Sequence, residues 1–393
     1  MKKPNSKFSI GDLVGSLGRH APFDLAEEWD NVGFLAGDAA DTVSGVVTAV
    51  NLGPEALAAA VVTNSNVIVC HHPPIFKPIK RLTRAASPYL YEAVRRGIGV
   101  IALHTNFDLS SEKISRELAA TLGCEFKDFL APRGGAELPR SLRLGKFITY
   151  VPEKNLDAIR EAVDRAGAGR IGEYTQCSFS WDGEGTFKGA PGTKPAVGRA
   201  GALERAQEKR FEVVFPWKAL TQVVAAARSV HPYEEMAYDV LELAQPARSL
   251  GYGFVGKYGK PRQEMSDLGD ASDASTEPLV FHKLLDNVKQ TFQLSSVTVA
   301  GPGLADSKMR VQNLAFSPGS GSSFVGAACA KGADVYVCGE VGYHQMLEAR
   351  QKGLTLVILG HSYSERFFIE TVASWCETAG PVRKVFETVH ETK

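Results

Sequence analysis

Short apolar runs alternate with amphipathic stretches through the first third of the chain. Val46–Asn51, Asn66–Cys70 and Gly99–Leu103 are β-branched and apolar on both faces, the pattern of strands buried in a parallel sheet. Between and around them Ile10–Arg19, Pro54–Thr63, Ser87–Arg96 and Ser111–Thr121 read as helices. The alternation predicts an α/β layer with a parallel or mixed sheet. The same grammar returns after Glu277. It predicts a helix ending at Phe292, strands at Ser296–Ala300 and Asn313–Ser317, and a helix at Ser322–Lys331. A strand at Asp334–Cys338, a helix at Tyr343–Gln351, a strand at Leu354–Leu359 and a helix at Ser362–Thr378 follow. The fold class read from this pattern is α/β, with two similar halves at residues 1–143 and 245–393.

Residues 144–244 interrupt that pattern. A strand in KFITYVP, a helix at Glu153–Ala166, a strand in CSFSW, a strand in RFEVVFP, a helix at Trp217–Val230 and the strand-like end of HPYEEMAYDVLEL follow one another. A Gly/Pro/Lys-rich stretch from Asp182 to Gly201 reads as the loop between the middle strands. This β-α-β, β-α-β order predicts a ferredoxin-like α+β insertion. The polar segment Arg262–Glu277 reads as a connector into the second half.

Composition narrows the partners. At 393 residues the chain exceeds one ordinary core, and 44% hydrophobic residues supply ample core material. Lys+Arg and Asp+Glu balance at 44 each, so no global field draws nucleic acid or an anionic membrane. Six cysteines lie scattered without a CxxC pair, which fits structural thiols in a reducing compartment better than a disulfide framework. The first thirty or so residues lack an apolar signal core, and no run of about 18 apolar residues occurs. A cytoplasmic protein is expected.

Three of the apolar runs end in metal-ligand side chains. NVIVC leads into His71-His72, GVIAL into HTNFD (His104–Asp108), and LTLVILG into His361 through Glu365. In open α/β sheets, ligands gather at the carboxyl ends of strands. Histidine nitrogens and carboxylate oxygens together suit zinc, manganese, iron, cobalt or nickel. Each cluster has a plainer reading: the prolines of HHPP stop a ladder, Asp108 makes a cap or Asx turn, and Glu365 suits the first turn of a helix. Three such clusters at three strand ends outweigh those readings and point to a metal centre. Glu340 ends another strand, with His344 one helical turn beyond it, and either could touch substrate or stand behind the site. Ser317–Ser323 (SPGSGSS) joins a strand to a helix and could offer backbone amides to a phosphate, or simply turn.

EEWDNVGFLAGD (Glu27–Asp38), HHPPIF (His71–Phe76), HTNFD, GYGFVG (Gly251–Gly256), SPGSGSS and GHSYSE (Gly360–Glu365) occur in one order along the chain. Together they resemble the signature segments of the Nif-three-like family of dinuclear-metal proteins, widely labelled type 2 GTP cyclohydrolase I homologues. The middle region resembles the PII-like or CutA-like insertion of the longer members. Asn51 and Glu340 stand where the family often has aspartate.

The resemblance implies metal ligands at His71, His72, Asp108, His361 and Glu365, with His104 beside the site, and two divalent ions per chain. It also implies homohexamers, trimers of dimers, whose sites face an internal cavity. Its label implies GTP as substrate, with hydroxide attack at C8 of the guanine ring and release of formate. In that reaction Glu340 or His104 would carry protons. Another hydrolase of phosphoesters or amides, and a non-catalytic metal-binding regulator, stand as alternatives, because fold does not fix chemistry.

Overall fold

The computed structural model describes residues 8–134, 137–246, 249–258 and 278–386. The expected connector Arg262–Glu277 lies outside them. Two compact units divide the chain: Met1–Pro132 with Leu250–Lys393, and Arg133–Ser249.

The larger unit contains two main sheets. The first has the order Gly33–Ala36, Gly99–Ala102, Val67–Cys70, Val46–Ala49, Val382–Lys384. Its last four strands are parallel and Gly33–Ala36 is antiparallel. Every residue of Val67–Cys70 is buried, because alternate side chains serve two cores. Val67 and Val69 pack with Ile10, Leu13, Leu17, Phe368 and Val372. Ile68 and Cys70 face Ala56, Ala60, Leu90 and Ala93 on the other side. Burying each large aliphatic side chain stabilises the fold by about 1.5–3 kcal/mol.

The second sheet has the order Thr298–Ala300, Thr355–Ile358, Val335–Glu340, Asn313–Ser320, Leu250–Lys257, Leu109–Ser111. Glu125–Pro132 also pairs with Leu250–Lys257. The halves therefore exchange strands. Leu109–Ser111 and Glu125–Pro132 leave the first half to build the second sheet, while Val382–Lys384 returns from the second half to edge the first. Within GYGFVG, Gly253 has φ +55 and lies so close to the next strand that a Cβ would meet Phe316 O at 2.2 Å. No other residue fits there without moving the strand.

Three local expectations change. The helix expected over Ser362–Thr378 is a single turn, His361–Ser364, followed by Phe367–Cys376, with Glu365 turned inward at the break. Strand Asn313–Ser320 runs into SPGSGSS, its register shifting between Ser317 and Ser320. A proline cannot donate to the ladder, so the irregularity falls there. In the smaller unit Ser178–Phe187 stays in the sheet well past Asp182, into the stretch read as loop.

The smaller unit runs Arg143–Val151, helix Leu156–Arg165, Ser178–Phe187, Glu204–Pro216, helix Leu220–Val230, Tyr238–Pro246. Its antiparallel sheet places the fourth strand beside the first, then the third and the second, which is the ferredoxin-like arrangement. The two helices pack on one face around Phe147, Ile159, Phe211, Phe215 and Val223.

None of the six cysteines is in a disulfide, and burial pushes the thiols of Cys124, Cys338 and Cys376 up to about 12. Among the described residues no helix is long and apolar enough to cross a membrane.

Candidate metal centre

Both main sheets send their chemistry to strand ends. His71 and His72 follow Val67–Cys70 directly, and the His71 amide continues the ladder by donating to Ala49 O and Val50 O. His104 follows Gly99–Ala102, and the single turn Thr105–Asp108 carries Asp108 back toward His71. From the second sheet, Glu340 ends one strand and His361 follows the next.

Each of the four imidazoles is held by an oxygen at Nδ1. His71 Nδ1 lies 2.8 Å from Leu103 O, and His72 Nδ1 lies 2.8 Å from Asn51 Oδ1. His104 Nδ1 is 2.9 Å from Asp30 Oδ1, and His361 Nδ1 is 3.0 Å from Glu340 Oε1. An N–H donated at Nδ1 leaves the Nε2 lone pair as the free ligand atom, the outer support seen around metal-binding histidines.

The Nε2 atoms of His71, His72 and His361 converge on two carboxylates. Glu365 Oε1 lies 3.5 Å from His71 Nε2 and 3.1 Å from His361 Nε2, while Oε2 lies 3.1 Å from His72 Nε2. Asp108 Oδ1 stands 3.6 Å from His71 Nε2. Yet His71 Nε2, Asp108 Oδ1 and Glu365 Oε2 are buried with no hydrogen-bond partner among the described residues. Such groups cost about 1–3 kcal/mol each when left unpaired. Two groups of side chains have ligand atoms mutually within 4.8 Å: His71, His72 and His104, and His72, His361 and Glu365. Buried imidazole nitrogens and carboxylate oxygens converging on one another, three of those atoms without a hydrogen bond, fit divalent cations.

The electrostatics agree. Burial works against a charged His71, but the Asp108 and Glu365 carboxylates outweigh it and raise its pKa to about 9. Contact with Glu365 outweighs burial at His361 and takes that ring to about 9 as well. Burial lowers His72, against the pull of Glu365 and with the neighbouring rings. Burial also raises Asp108, helped by the nearby Glu365 charge. Glu365 itself is held well below the usual carboxylate range, since the histidines around it outweigh its burial.

The structure gathers His71, His72, Asp108, His361 and Glu365 with His104 into one cluster. Glu340 lies behind His361, more than half exposed, and His344 sits on the exposed face of helix Tyr343–Gln351, in neither group. In Ser317–Ser323 the Gly319 amide donates to Ser364 Oγ and the Gly321 amide to Glu340 O, so these two donors are already engaged. Gly319 instead makes room: a Cβ there would stand 2.6 Å from Glu365 Oε1.

Two supporting residues escaped the sequence reading of function. Asn51 orients His72. Asp30 accepts from His104, from the Thr105 amide at 3.1 Å and from the Thr105 hydroxyl at 2.5 Å. Although burial opposes its charge, these hydrogen bonds lower its pKa to about 2. An acidic loop residue within EEWDN was the available signal for Asp30; Asn51 had only its place at a strand end.

Residues 8–390 match the Duf34/NIF3 family (NGG1p interacting factor 3). The chain is 32% identical over 359 residues to a Halalkalibacterium halodurans protein named GTP cyclohydrolase 1 type 2 homolog, covering 91% of this chain and 89% of that one. A Bacillus subtilis protein of the same name is 32% identical over 362 residues, covering 92% and 90%. The crystal structure of a Bacillus cereus protein related to NIF3 superposes with a TM-score of 0.78 at 28% identity, covering 98% of this chain and 97% of that one. With the match running nearly from end to end, this chain belongs to the Duf34/NIF3 family.

Proposed function

We propose that the cluster holds two divalent transition-metal ions and that the protein is a metal-dependent hydrolase. The carrying observation is the set of four imidazoles, each fixed at Nδ1, with His71, His72 and His361 turning Nε2 toward Asp108 and Glu365, whose Oδ1 and Oε2 are buried without hydrogen bonds. Glu365 presents one oxygen to His71 and His361 and the other to His72, so it would be a ligand to the bound ions. His104, drawn in with His71 and His72, serves as a ligand in this reading as well as standing beside the site. Bound ions would supply Lewis acidity and lower the pKa of a coordinated water. The chain's own contribution is orientation: Leu103 O, Asn51, Asp30 and Glu340 fix the rings. Glu340, in contact with both His361 and solvent, is the group placed to pass a proton outward.

GTP is the first substrate to test, because the relatives carry the name GTP cyclohydrolase 1 type 2 homolog. Metal-replete protein should be incubated with GTP, a phosphoester panel and small amides while formate, phosphate and amine are followed. Turnover that a chelator and Asp108→Ala both abolish is expected; formate from GTP would identify the cyclohydrolase reaction. No turnover of any compound would leave a metal-binding regulator as the better reading.

A sensing role for the insertion has its own observation. The smaller unit contains a cavity of about 710 Å³, within the usual range for small-molecule sites, whose lining includes Tyr150, Trp181, Phe187, Glu208, Arg210 and Tyr233. Replacing residues 144–244 by a short Gly/Ser linker should preserve metal content and basal turnover while removing any small-molecule response of the intact protein. A soluble variant that binds no metal would show instead that the insertion shapes the site.

A further inference from the structure

We propose that Trp29 and Phe76 form an aromatic ledge beside the metal centre, on which a planar heteroaromatic substrate stacks. The inference rests on the hydrolase reading above and names its substrate class. Trp29 is 59% exposed and Phe76 is 46% exposed. Their ring centroids are 5.8 Å apart, tilted by 52°. Both meet His104 edge-on, Trp29 at 6.2 Å and Phe76 at 6.5 Å. A ring laid on either face at normal stacking distance therefore lies within about one ring's breadth of a residue in the metal cluster.

The ledge stands on a fixed base. Asp30, next to Trp29, holds His104 and Thr105. The Glu27 amide donates to Thr105 Oγ1 at 3.0 Å, and Tyr252 OH donates to Glu27 Oε1 at 2.7 Å. The Asn31 side-chain amide donates to Ile75 O at 2.5 Å, tying the Trp29 segment to the residue before Phe76. The segment is thus anchored on both sides of Trp29 while the largest apolar side chain in it remains in water. Exposed aromatic surface on a rigid rim is a common mark of a binding face, and nucleobases stack on aromatic side chains irrespective of their hydrogen-bonding edges. Phosphate or sugar alone gains nothing from such a ledge, so the geometry selects for the ring.

The test compares metal-loaded wild type with Trp29→Leu, Trp29→Phe and Phe76→Leu. Leucine keeps apolar cover without a π face, and phenylalanine keeps the ring. Calorimetric titration with GTP, guanosine and inorganic triphosphate separates ring from phosphate. Trp29→Leu and Phe76→Leu should weaken GTP and guanosine roughly tenfold to a hundredfold. Triphosphate binding and metal content should not change, and Trp29→Phe should recover most of the loss.

Unchanged GTP and guanosine affinities in both leucine variants would overturn the ledge. So would a shift in oligomeric state in those variants without a binding change, which would make the two rings a contact between copies. Turnover of non-aromatic phosphoesters by a wild type that binds neither GTP nor guanosine would refute the ledge and leave the hydrolase reading standing. Ring binding lost in the leucine variants, without turnover of anything, would do the reverse.

Discussion

Glu365→Ala should lower the metal content of purified protein from about two ions per chain toward none. Glu365 is 3% exposed, and its two oxygens reach three histidines. Loss of a residue that merely supports a metal-binding histidine costs about 10–100-fold in affinity. Removal of a carboxylate whose oxygens reach histidines of both groups should therefore cost more than about 100-fold for each ion. Asp108→Ala should follow the same course to a smaller degree, since among the described residues its oxygen approaches one imidazole, His71, at salt-bridge distance. His344→Ala should change nothing, as it lies outside both groups. Elemental analysis after reconstitution with zinc, manganese or iron reads all three variants. Two ions retained by both carboxylate variants would rule out the ligand set.

Metal affinity should climb steeply as pH rises from 6 to 9. At His71 burial opposes the proton, but Asp108 and Glu365 hold it on to about pH 9; at His361, Glu365 does the same against burial. Both rings must lose that proton to bind a cation through Nε2. Below about pH 9 metal binding therefore releases up to two protons, and apparent affinity gains up to about a hundredfold per pH unit before levelling off. The metal-free protein should show the opposite linkage. Protonation of the two raised histidines adds stability that is complete below their unfolded value of 6.5 and disappears as pH passes through about 9. Competition against a chelator of known pH dependence, at pH 6, 7 and 8, measures the first effect. A flat profile would mean that the ligand atoms are not these imidazoles.

The sequence made strand ends legible because burial on both faces leaves an uninterrupted apolar run, and whatever polar residue follows must sit at the sheet's edge. His71, His104 and His361 stand out for that reason. Their supports do not. Asp30 lies in a loop without periodicity, and Asn51 reads as the end of a strand, at a place where the family often has aspartate, with nothing to tie it to His72 until His72 Nδ1 is found 2.8 Å away. The break at Glu365 was hidden as well, since Ser362–Thr378 keeps a helical composition throughout. Glu365 turns inward where its oxygens meet three histidines. In the insertion, the order of elements was readable, but Gly183 and Gly185 resembled a turn. Ten-residue pairing with Glu204–Pro216 keeps them extended, an effect of a distant partner rather than local preference.

The exchanged edge strand bears on how the protein is made. Val382–Lys384 pairs with Val46–Thr48, and Thr48 Oγ1 bonds Ile369 O across 321 positions. During synthesis, the early sheet must wait with one edge unpaired while the whole insertion and every strand of the second sheet leave the ribosome. Unpaired edges invite wrong partners, and pairings this far apart close slowly. His71 and His72 emerge hundreds of residues before His361 and Glu365. A nascent chain therefore exposes two adjacent histidines without the Glu365 carboxylate, and tight capture of the proposed ions would belong to the last stage of folding.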